Sequence, residues 1–171
     1  MDRIAEDETL LANLNQVVYN SCYALGLFYE QPTDLKINWT LKYFPNHPVI
    51  RYISVDSLKR GTQAPTSVSV LTHRSWAKSN LHLTKESAKP ILLSAVMDIL
   101  PKLPSPDHVK SHRWLYSQTE NPYPQNPGAV TFCKEPLLLG AGDSFSQSNV
   151  EGCLVSAEKA VKILKDNLLS L

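Results

Sequence analysis

Residues 137–169 read LLLGAGDSFSQSNVEGCLVSAEKAVKILKDNLL. The apolar run from Pro136 to Leu139 predicts a short strand, and Gly140 and Gly142 behind it predict a tight turn free of side chains. Ser148-Asn149-Val150-Glu151 fits the capping-box pattern, with Ser148 as the cap and Glu151 reaching back to it, so a helix is expected to start there. Val150, Leu154, Ala157, Val161, Leu164 and Leu168 then step by four, three, four, three and four. Such a stripe is expected to pack on a core. A glycine turn that runs into a helix N-terminus leaves backbone N–H groups for an anionic or electron-rich ligand.

Outside this stretch, composition limits what the chain can be. Its 171 residues are 43% hydrophobic and 19% charged, with 12 Pro and 6 Gly, which suits a folded domain and excludes a disordered or collagen-like chain. Lys and Arg number 17 against 16 Asp and Glu, a formal charge of +1, so no surplus field draws it to nucleic acid. The longest apolar runs are a few residues, far below the roughly 20 that span a bilayer. The start, MDRIAEDETLLANL, is acidic where a secretory signal is basic, so no such address is expected. Cys22, Cys133 and Cys153 are scattered and odd in number, which favours reduced thiols over a disulfide framework. A cytoplasmic setting is the default, with secretion of a longer parent protein left open.

Periodicity and turn residues give the remaining elements. A helix is expected from Ile4 to about Val18, a buried strand within Tyr19–Glu30, another around Ile37–Leu41, and a strand in 49–57, VIRYISVDS. SLKRGTQAPT (57–66) reads as a hairpin loop and SVSVLTH as the antiparallel partner strand. Thr84–Leu100 predicts a helix; with Ser87 as its cap, Pro90 would stand at the third position and cost no hydrogen bond. HRWLYSQ (112–118) predicts a strand, followed by the loop NPYPQNPG. The expected class is α+β, an antiparallel-sheet domain with flanking helices in 1–134 and a closing strand, turn and helix in 135–171.

The turn at 140–150 admits several chemistries beside a plain capped helix. A dinucleotide-binding G-x-G-x-x-G is contradicted by Phe145 at its third glycine. A hydrolase with Ser144 as nucleophile needs a downstream histidine, and the last histidine is His112. A flavin site remains, with Asp143 holding a ribityl or ribose hydroxyl and the helix start facing the flavin pyrimidine edge.

HRWLYSQT, then PG, then GAGDSFSQSNVEGCLVSA, together with YALGLFYE and IRYISVDSLKR upstream, closely resemble the carboxy-terminal half of the renalase family, flavoproteins of the monoamine-oxidase-like superfamily. The resemblance runs in order from about Val17 to the end. It departs at Pro90 and at Ala141, where a second glycine is usual. It implies an antiparallel substrate domain and the last strand and helix of a Rossmann-type FAD domain, whose G-x-G-x-x-G half is not in this sequence. The implied activity is oxidation of isomeric dihydro-NAD(P) to NAD(P)+, with O2 giving hydrogen peroxide. A flavin amine oxidase and a cofactor-free binding module are the alternatives. Residue by residue, Gly142 and Asp143 would meet the ribityl-phosphate part of FAD, and Ser148, Asn149 and Val150 would offer N–H groups to the flavin N1/C2 edge. Trp114 and Tyr116 would wall the substrate, ordinary core packing being the alternative. The resemblance names no catalytic residue, because hydride transfer to a flavin needs no general base. His108 and His112 stand four apart, but no third ligand is placed by spacing, and no metal is expected.

Overall fold

The computed structural model describes residues 8–60 and 64–168, which divide into two compact units: Ser21–Leu115, and Met1–Asn20 with Tyr116–Leu171. Among the described residues, one sheet has the strand order β2-β3-β4-β1-β5, formed by β1 (Val18–Phe28), β2 (Leu41–Tyr43), β3 (Ile50–Val55), β4 (Ser67–Thr72) and β5 (His108–Asn121). The pairs β1–β4, β3–β4 and β2–β3 are antiparallel. Because side chains alternate along a strand, register decides which of them share a face. Val70 stands between Leu25 and Ile53, and Val68 between Leu27 and Val55, so two apolar rows cross β1, β4 and β3 on one face.

Helix α4 (Lys85–Ile99) lays Ala88, Leu92, Ala95 and Val96 into the core formed by these rows, and α3 (Arg74–Ser79) adds Ala77. Tyr23 is fully buried in the same core, with its hydroxyl 2.9 Å from the Asn80 carbonyl oxygen and 2.7 Å from that of Leu83. The opposite face carries small residues low on the sheet, Gly26, Ser54, Ser67 and Ser69, while Phe28, Leu41 and Tyr43 stand exposed around them. A Cβ at Gly26 would meet the ring of the exposed Phe28 at 2.7 Å, so that ring would have to swing aside for a larger residue.

The start of α4 differs from expectation. Thr84 caps it, its side chain accepting the Ser87 N–H at 3.1 Å, so the helix begins three residues before a Ser87 cap would allow. Pro90 therefore lies inside the helix, and the Glu86 carbonyl lacks its usual i+4 donor. Around 37–41 the strand is shorter and later than expected, only Leu41–Tyr43. The loop 57–66 begins with the short helix α2 (Ser57–Arg60). The first helix, α1, spans Glu8–Leu14 among the described residues, and Val18 already belongs to β1; its expected start at Ile4 lies outside them.

In the other unit, β6 (Ala129–Lys134) and β7 (Leu137–Ala141) pair antiparallel, a 3-10 turn follows at Asp143–Phe145, and α5 (Val150–Leu168) packs against both strands. The expected boundary at 134/135 falls inside this β6–β7 hairpin; the units instead divide at 20/21 and 115/116. The sequence reading missed β6 because NPYPQNPG signals a loop, and AVTFCK, the sequence of β6, shows no regular alternation of apolar and polar residues. The apolar stripe of α5 is exposed rather than buried: Val150 is 74% and Leu154 61% accessible, and Val161 and Leu164 are exposed too. The face of α5 turned to the hairpin is instead the row Gly152, Ser156, Ala160 and Ile163, small at its N-terminal end.

Leu92→Ala is expected to destabilise the Ser21–Leu115 unit by about 2 to 5 kcal/mol through lost burial and the cavity left behind. Thr84→Ala should cost about 1 kcal/mol through loss of the cap. Urea unfolding followed by circular dichroism measures both.

Candidate functional site

The turn from β7 into α5 is built by three anchors. Gly142 takes φ 138° and ψ −175°, a conformation reserved in practice for glycine, with open space where a Cβ would point. Its N–H donates to Ser156 Oγ at 2.6 Å, and that hydroxyl donates to the Gly128 carbonyl at 2.6 Å. Ser156 is 1% exposed, so one buried hydroxyl ties the turn, the helix and the 128 loop together.

The second anchor is Asp143. Its Oδ2 accepts from Thr119 Oγ1 at 3.1 Å and from Ser148 Oγ at 2.7 Å, while Ser148 Oγ accepts the Thr119 N–H at 3.0 Å. This closed triangle holds the carboxylate in one orientation. Thr119 went unnoticed at the sequence level because nothing local marks a partner 24 residues away.

The third anchor is the helix cap, which is Asn149 rather than Ser148. Asn149 Oδ1 accepts the Gly152 N–H at 2.7 Å, and the Asn149 carbonyl accepts from Cys153. Ser148 cannot serve as the cap because its hydroxyl is committed to Asp143 and Thr119. Gly152 lets Gln147 lie against the helix: a Cβ at 152 would sit 2.0 Å from the Gln147 carbonyl oxygen. The Asn149 N–H donates to that same carbonyl at 2.8 Å. The first-turn N–H groups of Val150 and Glu151 precede the intrahelical ladder, on an exposed segment.

Phe145 closes the base of the turn, buried and stacked on Tyr123 with ring centroids 5.4 Å apart. The Tyr123 and Gly128 N–H groups donate to the Ser144 and Phe145 carbonyls, both at 2.7 Å. The turn is thus rigid on its inner side and open at Gly142 and Val150.

In the Ser21–Leu115 unit, Trp114 belongs to the outer row of β5. Ser111 Oγ donates to the Lys85 carbonyl and Arg113 Nη1 to those of Leu81 and Leu83, so odd positions turn toward the helical layer. Lys110, His112 and Trp114 turn the other way. Lys110 Nζ sits 5.9 Å from the centre of the Phe28 ring, and the His112 ring lies edge-on to Trp114 at 4.4 Å. Trp114 is 51% exposed and so is no core residue. Tyr116, in the other unit, is 75% exposed and meets Tyr19 edge-to-face at 5.4 Å. Among the described residues no group of three His, Cys, Asp or Glu could hold a metal, and no helix is long and apolar enough to cross a membrane. His108 pairs with Glu30 at 3.4 Å.

Farther along the open face, Asp56 accepts from Ser54 Oγ at 2.8 Å, from Lys59 Nζ at 3.3 Å and from Ser69 Oγ. Partial burial opposes its charge, but these hydrogen bonds outweigh that and hold the carboxyl below its ordinary 3.8. The unfolded chain then binds a proton more readily than the folded one. Stability from this group is therefore complete above pH 3.8 and lost as pH falls through the lower folded value. Asp56→Asn should flatten that part of the acid limb in thermal melts taken at successive pH values. Gly152→Ala should destabilise the turn by about 1 to 3 kcal/mol, since Gln147 must move, whereas the exposed neighbour change Cys153→Ala should stay within about 0.5 kcal/mol. Hydrogen exchange of residues 142–156 distinguishes the two.

No protein-family model matches the chain. It is 35% identical over 155 residues to renalase of Mus musculus, a match that takes in 89% of this chain and 45% of that protein. The chain thus spans about half the length of the curated relative it matches. Its fold resembles the crystal structure of a "Putative protoporphyrinogen oxidase" from Exiguobacterium sp. 255-15, with a TM-score of 0.56 at 15% identity, over 68% of this chain and 27% of the other. This chain is a homologue of renalase and matches the carboxy-terminal half of that protein.

Proposed function

We propose that this chain is the carboxy-terminal half of a renalase-like flavin oxidoreductase that oxidises isomeric dihydro-NAD(P) to NAD(P)+, with O2 as final acceptor and hydrogen peroxide as product. The observation that carries this reading is the 35% identity to renalase across 155 residues, which include the turn at 140–150. FAD, when bound, would supply the hydride acceptor. The residues of the turn suit one end of that cofactor. Gly142 leaves room where a side chain would stand, and Asp143 is held so that it can accept from a ribityl hydroxyl. The start of α5 offers the N–H groups of Val150 and Glu151 beside a positive dipole end, favourable to negative charge on a flavin edge. Ser148 acts by holding Asp143, and Asn149 by capping the helix, its own N–H being engaged with Gln147.

The exposed row Lys110, His112 and Trp114 suits a planar substrate, with Trp114 as its aromatic wall. The sequence contains no G-x-G-x-x-G loop to cradle the pyrophosphate, so FAD retention is assigned to this chain together with a polypeptide corresponding to the rest of renalase. The cofactor-free reading is favoured by that same observation for the chain by itself.

Purified alone, the chain should be colourless. Co-expressed with the amino-terminal part of mouse renalase, it should carry flavin absorbance and release peroxide from 6-dihydro-NAD. Asp143→Ala should lower flavin retention at least tenfold. Turnover of primary amines without turnover of dihydronicotinamides would replace the proposed substrate, and a flavin-free co-expressed complex would defeat the flavin reading.

A further inference from the structure

Around Phe28, on the open face of the five-stranded sheet, most charges are matched within the fold. Lys59 lies 3.3 Å from Asp56, and His108 3.4 Å from Glu30. Asp107, which precedes β5, accepts the Glu30 N–H at 2.8 Å. Arg60 and Lys110 differ: both are exposed, and neither pairs with a carboxylate among the described residues. Both stand against the Phe28 ring. Register sets Ser67 directly opposite Phe28, and Arg60 Nη2 donates to Ser67 Oγ at 2.7 Å, which brings the guanidinium to the β4 side of the ring. From β5, the strand on the other side of β1, Lys110 Nζ lies 5.9 Å from the ring centre. Most of the guanidinium N–H groups and all three of the ammonium remain free to donate. Two unmatched cations flanking an exposed aromatic ring suit a phosphate, which accepts charge-assisted hydrogen bonds from both, with a purine stacked beside it.

We infer that Arg60 and Lys110 take the phosphate at the adenosine end of a dinucleotide substrate whose reduced ring lies at Trp114, and that they set a preference for dinucleotides over mononucleotides. The inference rests on the proposed function for the identity of that substrate. Spacing along β5 supports it. Lys110 and Trp114 belong to one outward row four residues apart, about 13 Å at 3.3 Å per residue. A mononucleotide carries its phosphate one ribose away from its ring and falls short of Phe28. The second phosphate and the adenosine of a dinucleotide extend farther, and the Phe28 ring, 39% exposed, offers them an apolar surface. Free inorganic phosphate presents the same oxygens without the adenosine, so the two sources part in a binding experiment.

The test has two arms. In the first, the 171-residue chain by itself is titrated with ADP-ribose, ribose 5-phosphate and inorganic phosphate, followed by calorimetry and by the amide shifts of Phe28, Arg60, Ser67 and Lys110. ADP-ribose is expected to bind and to move those amides, the other two probes binding at least tenfold more weakly. Arg60→Ala with Lys110→Ala should weaken ADP-ribose at least tenfold while the thermal melt stays that of the wild type, because both side chains are already in water. No saturable binding of ADP-ribose, binding indifferent to the two alanines, or inorganic phosphate bound as tightly as ADP-ribose each overturns the inference. The second arm uses the chain co-expressed with the amino-terminal part of mouse renalase. There the same two changes should lower kcat/KM for 6-dihydro-NAD at least tenfold relative to that for the corresponding mononucleotide, chiefly through KM. Equal losses on both substrates overturn the inference as well. A complex that turns over neither substrate, beside ADP-ribose binding that is lost on the alanines, upholds the nucleotide-phosphate site and defeats the proposed function instead.

Discussion

Between Ala141 and Val150 the chain must leave a hairpin and enter a helix that lies against the same hairpin, and that reversal constrains everything the unit can offer a ligand. The reversal is tight enough that Gln147 touches the helix backbone, which only glycine at 152 permits. Polar groups forced inward by it find partners in one another. Ser156 takes the Gly142 N–H, Asp143 takes two hydroxyls, and Asn149 takes the Gly152 N–H. Each of these bonds spares a desolvated donor or acceptor a cost of about 1 to 3 kcal/mol, and together they leave a single conformation. Openness at Gly142 and Val150 is what remains once the inner side has been satisfied.

Much of this was legible before the structure. Periodicity located α4 and α5, an aromatic-rich run ending at Gln31-Pro32 located β1, β-branched content located β3 and alternation located β4, because each of those signals lies within one element. The choice of cap was not legible. Ser148 and Asn149 are both good caps, and so are Thr84 and Ser87; the decision at 148 came from Thr119, distant in sequence, which claimed the serine hydroxyl. At α4 the earlier cap won, although it puts Pro90 inside the helix. The four apolar contacts of Ala88, Leu92, Ala95 and Val96 with the core outweigh one missing hydrogen bond.

The α5 stripe shows a different limit. A four-three repeat says that one face of a helix is apolar, and it carries no information about which molecule or segment covers that face. In this chain the hairpin takes the flank beginning with Gly152 and Ser156, because small residues allow the close approach that the tight turn demands. The bulkier flank, with Leu154, Val161 and Leu164, cannot approach so closely and is left to water. Trp114 shows the converse case. A strand aromatic is ordinarily core, but Ser111 and Arg113 fix the roll of β5 by bonding carbonyls next to and within α4, which turns Trp114 outward.

The two units therefore divide the physical work differently. The Ser21–Leu115 unit is held by burial: Leu25, Val70 and Ile53 stack under α4, and its open face can carry exposed aromatics at little cost to the fold. The other unit has few large buried residues and depends on directional hydrogen bonds around 142–156, so its geometry is more exact than its burial would suggest. Under the proposed function, a rigid polar turn of this kind would suit one end of a cofactor whose orientation the protein must supply. Changing Ser156 should accordingly disturb the turn without touching the five-stranded sheet, because no residue of the apolar core lies in the 142–156 network.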